Sequence, residues 1–278
     1  MGKGFFTDTT ICIGCKACEV ACKQWNQLPA DGYEFTGNSY DNTSMLGATT
    51  WRHVAFVEQV APPDEPPTAN KWLMMSDVCK HCTNAGCLEA CPTGAIVRNE
   101  FDDVYIQPDI CNGCGYCVPS CPFGVVDLMA HADYSDGRNF VSDGRTHDDA
   151  TQEHGGVAGK CTLCYDRQKV GFTPACAKAC PTESIQFGDV DELKERARAR
   201  VAALHERGVE AAYLYGVDTD TSVGDLNAFF LLTDAPEKYN LPERPVLPST
   251  RQRAGYTSAA LAASALAIAG FAIFRSGA

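Results

Sequence analysis

The sequence predicts an α+β protein made of two similar units, one nested inside the other, and ending in a single C-terminal transmembrane helix. Three observations lead there. All sixteen cysteines fall into four groups of four. Short β-type runs and one longer helical run lie between and after those groups. The stretch 254–274 is uncharged over a length that spans a bilayer core. At 278 residues and 45% hydrophobic, the chain has enough apolar material for one or two buried cores and is not a disordered acidic chain. Its net charge of -12 argues against a nucleic-acid partner, since phosphate binding needs a basic face.

The groups are Cys12, Cys15, Cys18, Cys22; Cys79, Cys82, Cys87, Cys91; Cys111, Cys114, Cys117, Cys121; and Cys161, Cys164, Cys176, Cys180. A disulfide scaffold fits poorly, because such scaffolds are short and rely on bridges for want of a core. Zinc and iron-sulfur clusters both accept four thiolates, so spacing decides. Zinc ribbons use two C-x2-C pairs well apart. The first and third groups instead follow C-x2-C-x2-C-x3-C, the bacterial ferredoxin run, in which the fourth cysteine serves the other cluster of a pair. Pro92, Pro122 and Pro181 follow the last cysteines of three groups and complete that signature; Lys23 stands there in the first. The second and fourth groups stretch one gap to four and eleven residues but keep the final C-x3-C. Sixteen thiolates then make four [4Fe-4S] clusters with none left over, all sixteen acting as iron ligands.

Runs that exchange their fourth cysteines must pair, and the middle two lie closest in sequence. The first and last therefore pair across them, giving two nested ferredoxin-like (2×[4Fe-4S]) units. The outer unit is 1–30 with 155–188, and the inner unit is 79–130. Cluster A then takes Cys12, Cys15, Cys18 and Cys180, and cluster B takes Cys22, Cys161, Cys164 and Cys176. Cluster C takes Cys79, Cys82, Cys87 and Cys121, and cluster D takes Cys91, Cys111, Cys114 and Cys117. Gly14, Gly113 and Gly115 sit between ligands, where the backbone bends round a cluster and offers N–H groups to its sulfurs.

Within 31–78, WRHVAFVEQV (51–60) and KWLMM (71–75) read as strands of a β-hairpin, joined by APPDEPPTAN, whose four prolines exclude a helix or central strand. IVRNEFDDVYIQP (96–108) reads as strand, turn and strand. Residues 131–159 form a loop insertion whose His131, His147 and His154 belong to a solvated loop. In 189–240, DVDELKERARARVAALHERG carries Leu193, Ala197, Val201 and Leu204 at helical spacing, with Gly208 as its stop, and YLYGV and AFFLLT read as two strands. Residues 241–253 are a proline-rich linker expected to run extended.

The span 254–274 holds nine alanines, so it inserts more weakly than a leucine-rich helix and is expected to lie beside partner helices. Gly255, Ala259 and Ala263 recur every four residues as a small-residue face. Arg251 and Arg253 precede it and Arg275 follows, so charge does not choose the side of the membrane. The N-terminus shows no secretory h-region, so an exported cluster domain would travel on a partner's signal. No dinucleotide fingerprint, P-loop or free cysteine nucleophile is present, and the six histidines show no zinc-protease pattern. The pattern describes an electron wire with no catalytic residues and no small-molecule substrate of its own.

CIGCKACEVACKQWN, HCTNAGCLEACPTGAI, CNGCGYCVPSCPF and KCTLCYDRQKVGFTPACAKACPTESIQFG together resemble the iron-sulfur (beta) subunit of respiratory formate dehydrogenases. That family lies within the wider group of four-[4Fe-4S] electron-transfer subunits of molybdopterin oxidoreductases. The resemblance runs from residue 5 to the terminal helix, and it implies the same crossed ligation. It also implies two partners: a catalytic alpha subunit with a molybdenum or tungsten bis-pterin centre, and a membrane cytochrome b gamma subunit that reduces quinone. Location at a prokaryotic cell membrane follows from the same resemblance. Two features depart from the family: the long 131–159 insertion, and an end four residues after Phe274 without a polar tail. The competing readings are the equivalent subunit of a nitrate, polysulfide or sulfoxide reductase, and a non-redox zinc-binding module.

Overall fold

The computed structural model describes residues 2–30, 43, 45–64, 66, 70–129 and 156–276, except for the side chains of 251–254, 269, 270, 272–274 and 276. The chain opens with strand β1 (Lys3–Asp8) and helix α1 (Ala17–Asn26). A long hairpin follows, β2 (Arg52–Gln59) and β3 (Lys71–Val78), paired antiparallel from Arg52 opposite Val78 to Gln59 opposite Lys71. Next come α2 (Gly86–Glu89), β4 (Ile96–Arg98), β5 (Val104–Ile106), α3 (Cys117–Ser120) and β6 (Asp127–Leu128). The last part holds β7 (Ala158–Gly159), α4 (Tyr165–Gln168), α5 (Ala175–Ala179), β8 (Ile185–Asp189), α6 (Val190–Glu206), β9 (Tyr213–Tyr215), β10 (Ala228–Leu232) and α7 (Pro248–Ser276).

One four-stranded sheet, ordered β8-β1-β10-β9, closes the N-terminus onto the C-terminal half. β1 runs antiparallel to β8, with Phe5 opposite Phe187, and parallel to β10, with Phe6 opposite Phe229. Strands covered on both faces read as continuous apolar runs, and all five residues of β10 are buried. The Phe6 and Phe229 rings stack at 5.6 Å. Each fully buried Phe contributes about 1.5–3 kcal/mol by its removal from water. Gly4 permits this closure, because a Cβ there would sit 1.9 Å from the carbonyl oxygen of Asn227. This sheet makes the first and fourth cysteine groups neighbours.

α6 lies against β1 and β8 and buries Val190, Leu193, Ala197 and Leu204, with Gly208 at φ +85° just beyond its end. Arg200 ties it to β1 by donating to Asp8 at 2.8 Å. The hairpin is pinned to α1 through Glu19, which accepts from the Val54 N–H (3.1 Å), the Lys16 ammonium (2.9 Å) and the Thr43 hydroxyl (2.6 Å).

Two sequence expectations change. The linker 241–253 does not run extended throughout: α7 starts at Pro248, whose fixed φ and missing N–H suit the first position of a helix. The stretch 254–274 is helical within α7, but among the described residues no helix is long and apolar enough to cross a membrane. The single transmembrane span is therefore not supported as such. The 131–159 insertion and its three histidines lie almost wholly outside the described residues.

Candidate metal centres

The C-x3-C at the end of each group is placed by a short helix. α1 carries both Cys18 and Cys22; α5 carries Cys176 and is followed by Cys180. In the inner unit α2 carries Cys87 ahead of Cys91, and α3 carries Cys117 ahead of Cys121. Residues four apart stand one helical turn, about 5.4 Å, from each other on one face, so one helix reaches two adjacent cavities. α1 packs on α5 and α2 on α3, which allows the exchange.

The structure gathers the cysteines into the four expected sets. Cys12, Cys15, Cys18 and Cys180 line one cavity, quartet A. Cys22 lies among Cys161, Cys164 and Cys176, each of which raises its thiol pKa on top of a larger effect of burial; this is quartet B. Cys79, Cys82, Cys87 and Cys121 line quartet C, and Cys91, Cys111, Cys114 and Cys117 line quartet D.

Backbone donors converge on the sulfurs. The N–H groups of Leu163, Ala158 and Val125 donate to Cys161 (3.3 Å), Cys111 (3.4 Å) and Cys121 (3.5 Å), and the Asn26 side chain donates to Cys22 at 3.5 Å. Gly14 sits at φ +64° in the loop of quartet A, and a Cβ on it would meet the Phe56 ring at 2.6 Å. The Cys-Pro-Thr triplets of the second and fourth groups act alike: Thr93 lies 3.6 Å from Cys91 and Thr182 lies 3.7 Å from Cys180. Although burial opposes it, the Cys91 thiol is lowered by Thr93 and by the backbone N–H groups of Ile96 and Ala95.

The donor set fits an iron-sulfur cube. Burial pushes the thiols of Cys18, Cys87 and Cys164 up to about 12 and that of Cys117 up to about 11 in the protein alone. Four thiolates in one such cavity require cations among them, and coordination deprotonates a thiol outright. A single zinc ion would draw its ligands to about 2.3 Å from one point. Quartets A, C and D each line a cavity, as the four-thiolate ligation of a [4Fe-4S] cube requires. The C-x2-C-x2-C-x3-C runs that line them are those of ferredoxins and not of zinc ribbons.

The quartets also form a row. One buried cluster contains Cys18 of A, Cys22, Cys161 and Cys176 of B, and Cys79 of C; a second contains Cys82 and Cys87 of C and Cys117 of D. Quartet C joins the two; Cys161 of B interacts with Cys79 of C and Cys176 of B with Cys18 of A, giving the order A, B, C, D. Exposure follows the same order. All four cysteines of B and three of C are buried, whereas Cys15 of A and Cys114 of D are exposed. Three fully buried cations lie beside the row: Arg52, Lys80 and Lys160. None of them is marked by the cysteine spacing. The signals were Arg52 opening an apolar strand and lysines adjoining Cys79 and Cys161.

Family models described as 4Fe-4S dicluster domain match residues 11–95 and residues 70–136 with 147–190, which together take in all four cysteine groups. The chain is 40% identical over 242 residues to the formate dehydrogenase iron-sulfur subunit of Haemophilus influenzae, covering 86% of this chain and 68% of that one. It is 38% identical over 250 residues to the formate dehydrogenase-O iron-sulfur subunit of Escherichia coli, covering 87% and 72%. It is 28% identical over 198 residues to the B subunit of the anaerobic dimethyl sulfoxide reductase of Escherichia coli, covering 69% and 76%. With its sixteen cysteines gathered into four sets and these relatives matched over most of its length, the chain belongs to the family of formate dehydrogenase iron-sulfur subunits.

Proposed function

We propose that the chain is the electron relay of a formate-oxidising complex, with each cysteine quartet holding one [4Fe-4S] cluster. Electrons enter at quartet A from a catalytic subunit with a molybdenum or tungsten bis-pterin centre. They leave at quartet D towards a membrane cytochrome b and quinone. The observation that carries this reading is the row of quartets with an exposed cysteine at each end, Cys15 and Cys114, and buried cysteines between. Bound clusters supply one-electron couples whose potentials depend on net charge, sulfur hydrogen bonds and exposure. The chain's own residues do the positioning. Cys15 and Cys114 bring the end sites to the surface for partners, and the buried cysteines of B and C keep water from the middle of the path.

The assignment of ends rests on α7. Its root lies at α2: Ser249 donates to Glu89 at 2.9 Å, and a Cβ on Gly86 would touch Leu247 and Pro248. The helix therefore leaves the body beside quartets C and D. Its side chains from 255 to 268 are all exposed, among them Tyr256, Leu261, Leu266 and Ile268. Such an apolar helix suits attachment against the helices of a membrane partner, at the cell membrane of a prokaryote. The cluster-bearing body lies on the side to which the catalytic partner carries it.

The test is anaerobic addition of formate to membranes containing the full complex, followed by the cluster absorbance that co-purifies with this chain. Bleaching by formate is expected. Bleaching by dithionite alone would keep the relay and move the chain to another pterin enzyme, as the likeness to the B subunit of a dimethyl sulfoxide reductase allows.

A further inference from the structure

We propose that Arg52 is the shared fixed counter-charge of quartets A and B and raises the reduction potentials of both outer clusters. The proposal rests on the four-cluster reading above. Arg52 opens β2 and is 1% exposed. Its guanidinium lies 4.7 Å over the Phe5 ring. Nη1 donates to the Ser76 carbonyl (3.3 Å) and to the Ser76 hydroxyl (3.1 Å), and that hydroxyl lies 3.2 Å from the Cys18 sulfur of quartet A. Nε and Nη2 have no hydrogen-bond partner among the described residues.

A buried guanidinium without a carboxylate is unusual, because charges taken out of water are normally paired. Lys80 shows the ordinary solution nearby, meeting Asp77 at 2.6 Å. Lys160 gives its protons to the carbonyls of Val104 and Cys161. The negative charge that faces Arg52 is that of Cys18 in quartet A and of Cys176, Cys161 and Cys22 in quartet B, and this more than offsets the effect of burial against its charged form. An arginine keeps its proton throughout, so the charge is constant.

Reduction adds one electron to a cluster and makes its site more negative by one unit. A fixed positive charge that interacts with both A and B stabilises both reduced forms, and its removal makes both harder to reduce. Arg52 is a positioning residue for charge and has no part in binding a substrate.

The experiment is an anaerobic redox titration of the full complex, read by electron paramagnetic resonance, with iron counted per chain. Arg52→Gln is expected to keep its iron and to make two of the four clusters about tenfold or more harder to reduce, a downward shift of about 59 mV per tenfold for a one-electron couple. The other two should not move, and Arg52→Lys should restore most of the shift. Lys160→Met should move a different pair, B and C, because its ammonium faces Cys79, Cys87 and Cys161. Full iron with four unchanged potentials in Arg52→Gln overturns the proposal, as does a shift in Arg52→Lys equal to that in Arg52→Gln. If Arg52→Gln loses the outer clusters, their retention at wild-type potentials in Arg52→Lys supports the charge role, and their loss there overturns it. A wild-type complex without four clusters would instead defeat the underlying reading.

Discussion

In the full complex, Cys161→Ala is expected to cut the electron path in its middle. Cys161 is buried, accepts the Leu163 N–H at 3.3 Å, and shares a buried cluster with Cys79 of the next quartet. Its loss removes one of four thiolates from quartet B, where the sulfurs of Cys22, Cys164 and Cys176 cannot hold a cube as the full set does. Electrons from formate then reach quartet A and stop. Formate-driven reduction of the two inner clusters should fall by more than about 100-fold, beyond the 10–100-fold typical of losing an outer partner of a metal ligand. Dithionite should still reduce them, since Cys114 keeps quartet D open to solution. Rapid-mixing spectroscopy with each reductant separates the two arms. Unchanged reduction of the inner clusters by formate would show that the path does not run through B. Cys114→Ala is the contrasting variant, since it removes only the last site.

Phe229→Ala is expected to be the most damaging change away from the cysteines. Phe229 is fully buried in β10, pairs in register with Phe6 of β1 and stacks on its ring. That pairing holds the N-terminal and C-terminal halves together, and with them the first and fourth cysteine groups. Truncation leaves a cavity under a sheet covered on both faces and should cost about 3–5 kcal/mol, a fall in melting midpoint of roughly 6–20 °C for a chain of this size. Calorimetry of the anaerobic holo-complex would measure it. A change within error would mean that the sheet does not couple the two halves.

The cysteine groups carried most of what was legible in the sequence. Ligand spacing is a local constraint, and the crossed layout followed because α1 carries two cysteines one turn apart and α2, α3 and α5 each carry one four residues ahead of another. The 51–60 and 71–75 runs appear as β2 and β3, and Leu193, Ala197 and Leu204 lie on the buried face of α6, because period and proline placement are also local signals. The central sheet was not legible. KGFFTD is short and not alternating, and its partner across the parallel pairing lies more than two hundred residues on. The proline-rich arm departs from an extended run at Pro248, where one proline opens a helix and others hold a chain extended. Arg52 was missed for a different reason: a charge that opens an apolar strand reads as a strand end at the surface, and only the folded chain encloses it.

The central claim is that one chain holds four cubes, each on one quartet. Iron and acid-labile sulfide measured per chain after strictly anaerobic isolation test it most directly. About sixteen of each are expected, four per cluster. Zinc without labile sulfide, or iron and sulfide at about half that level in the intact complex, would contradict the account.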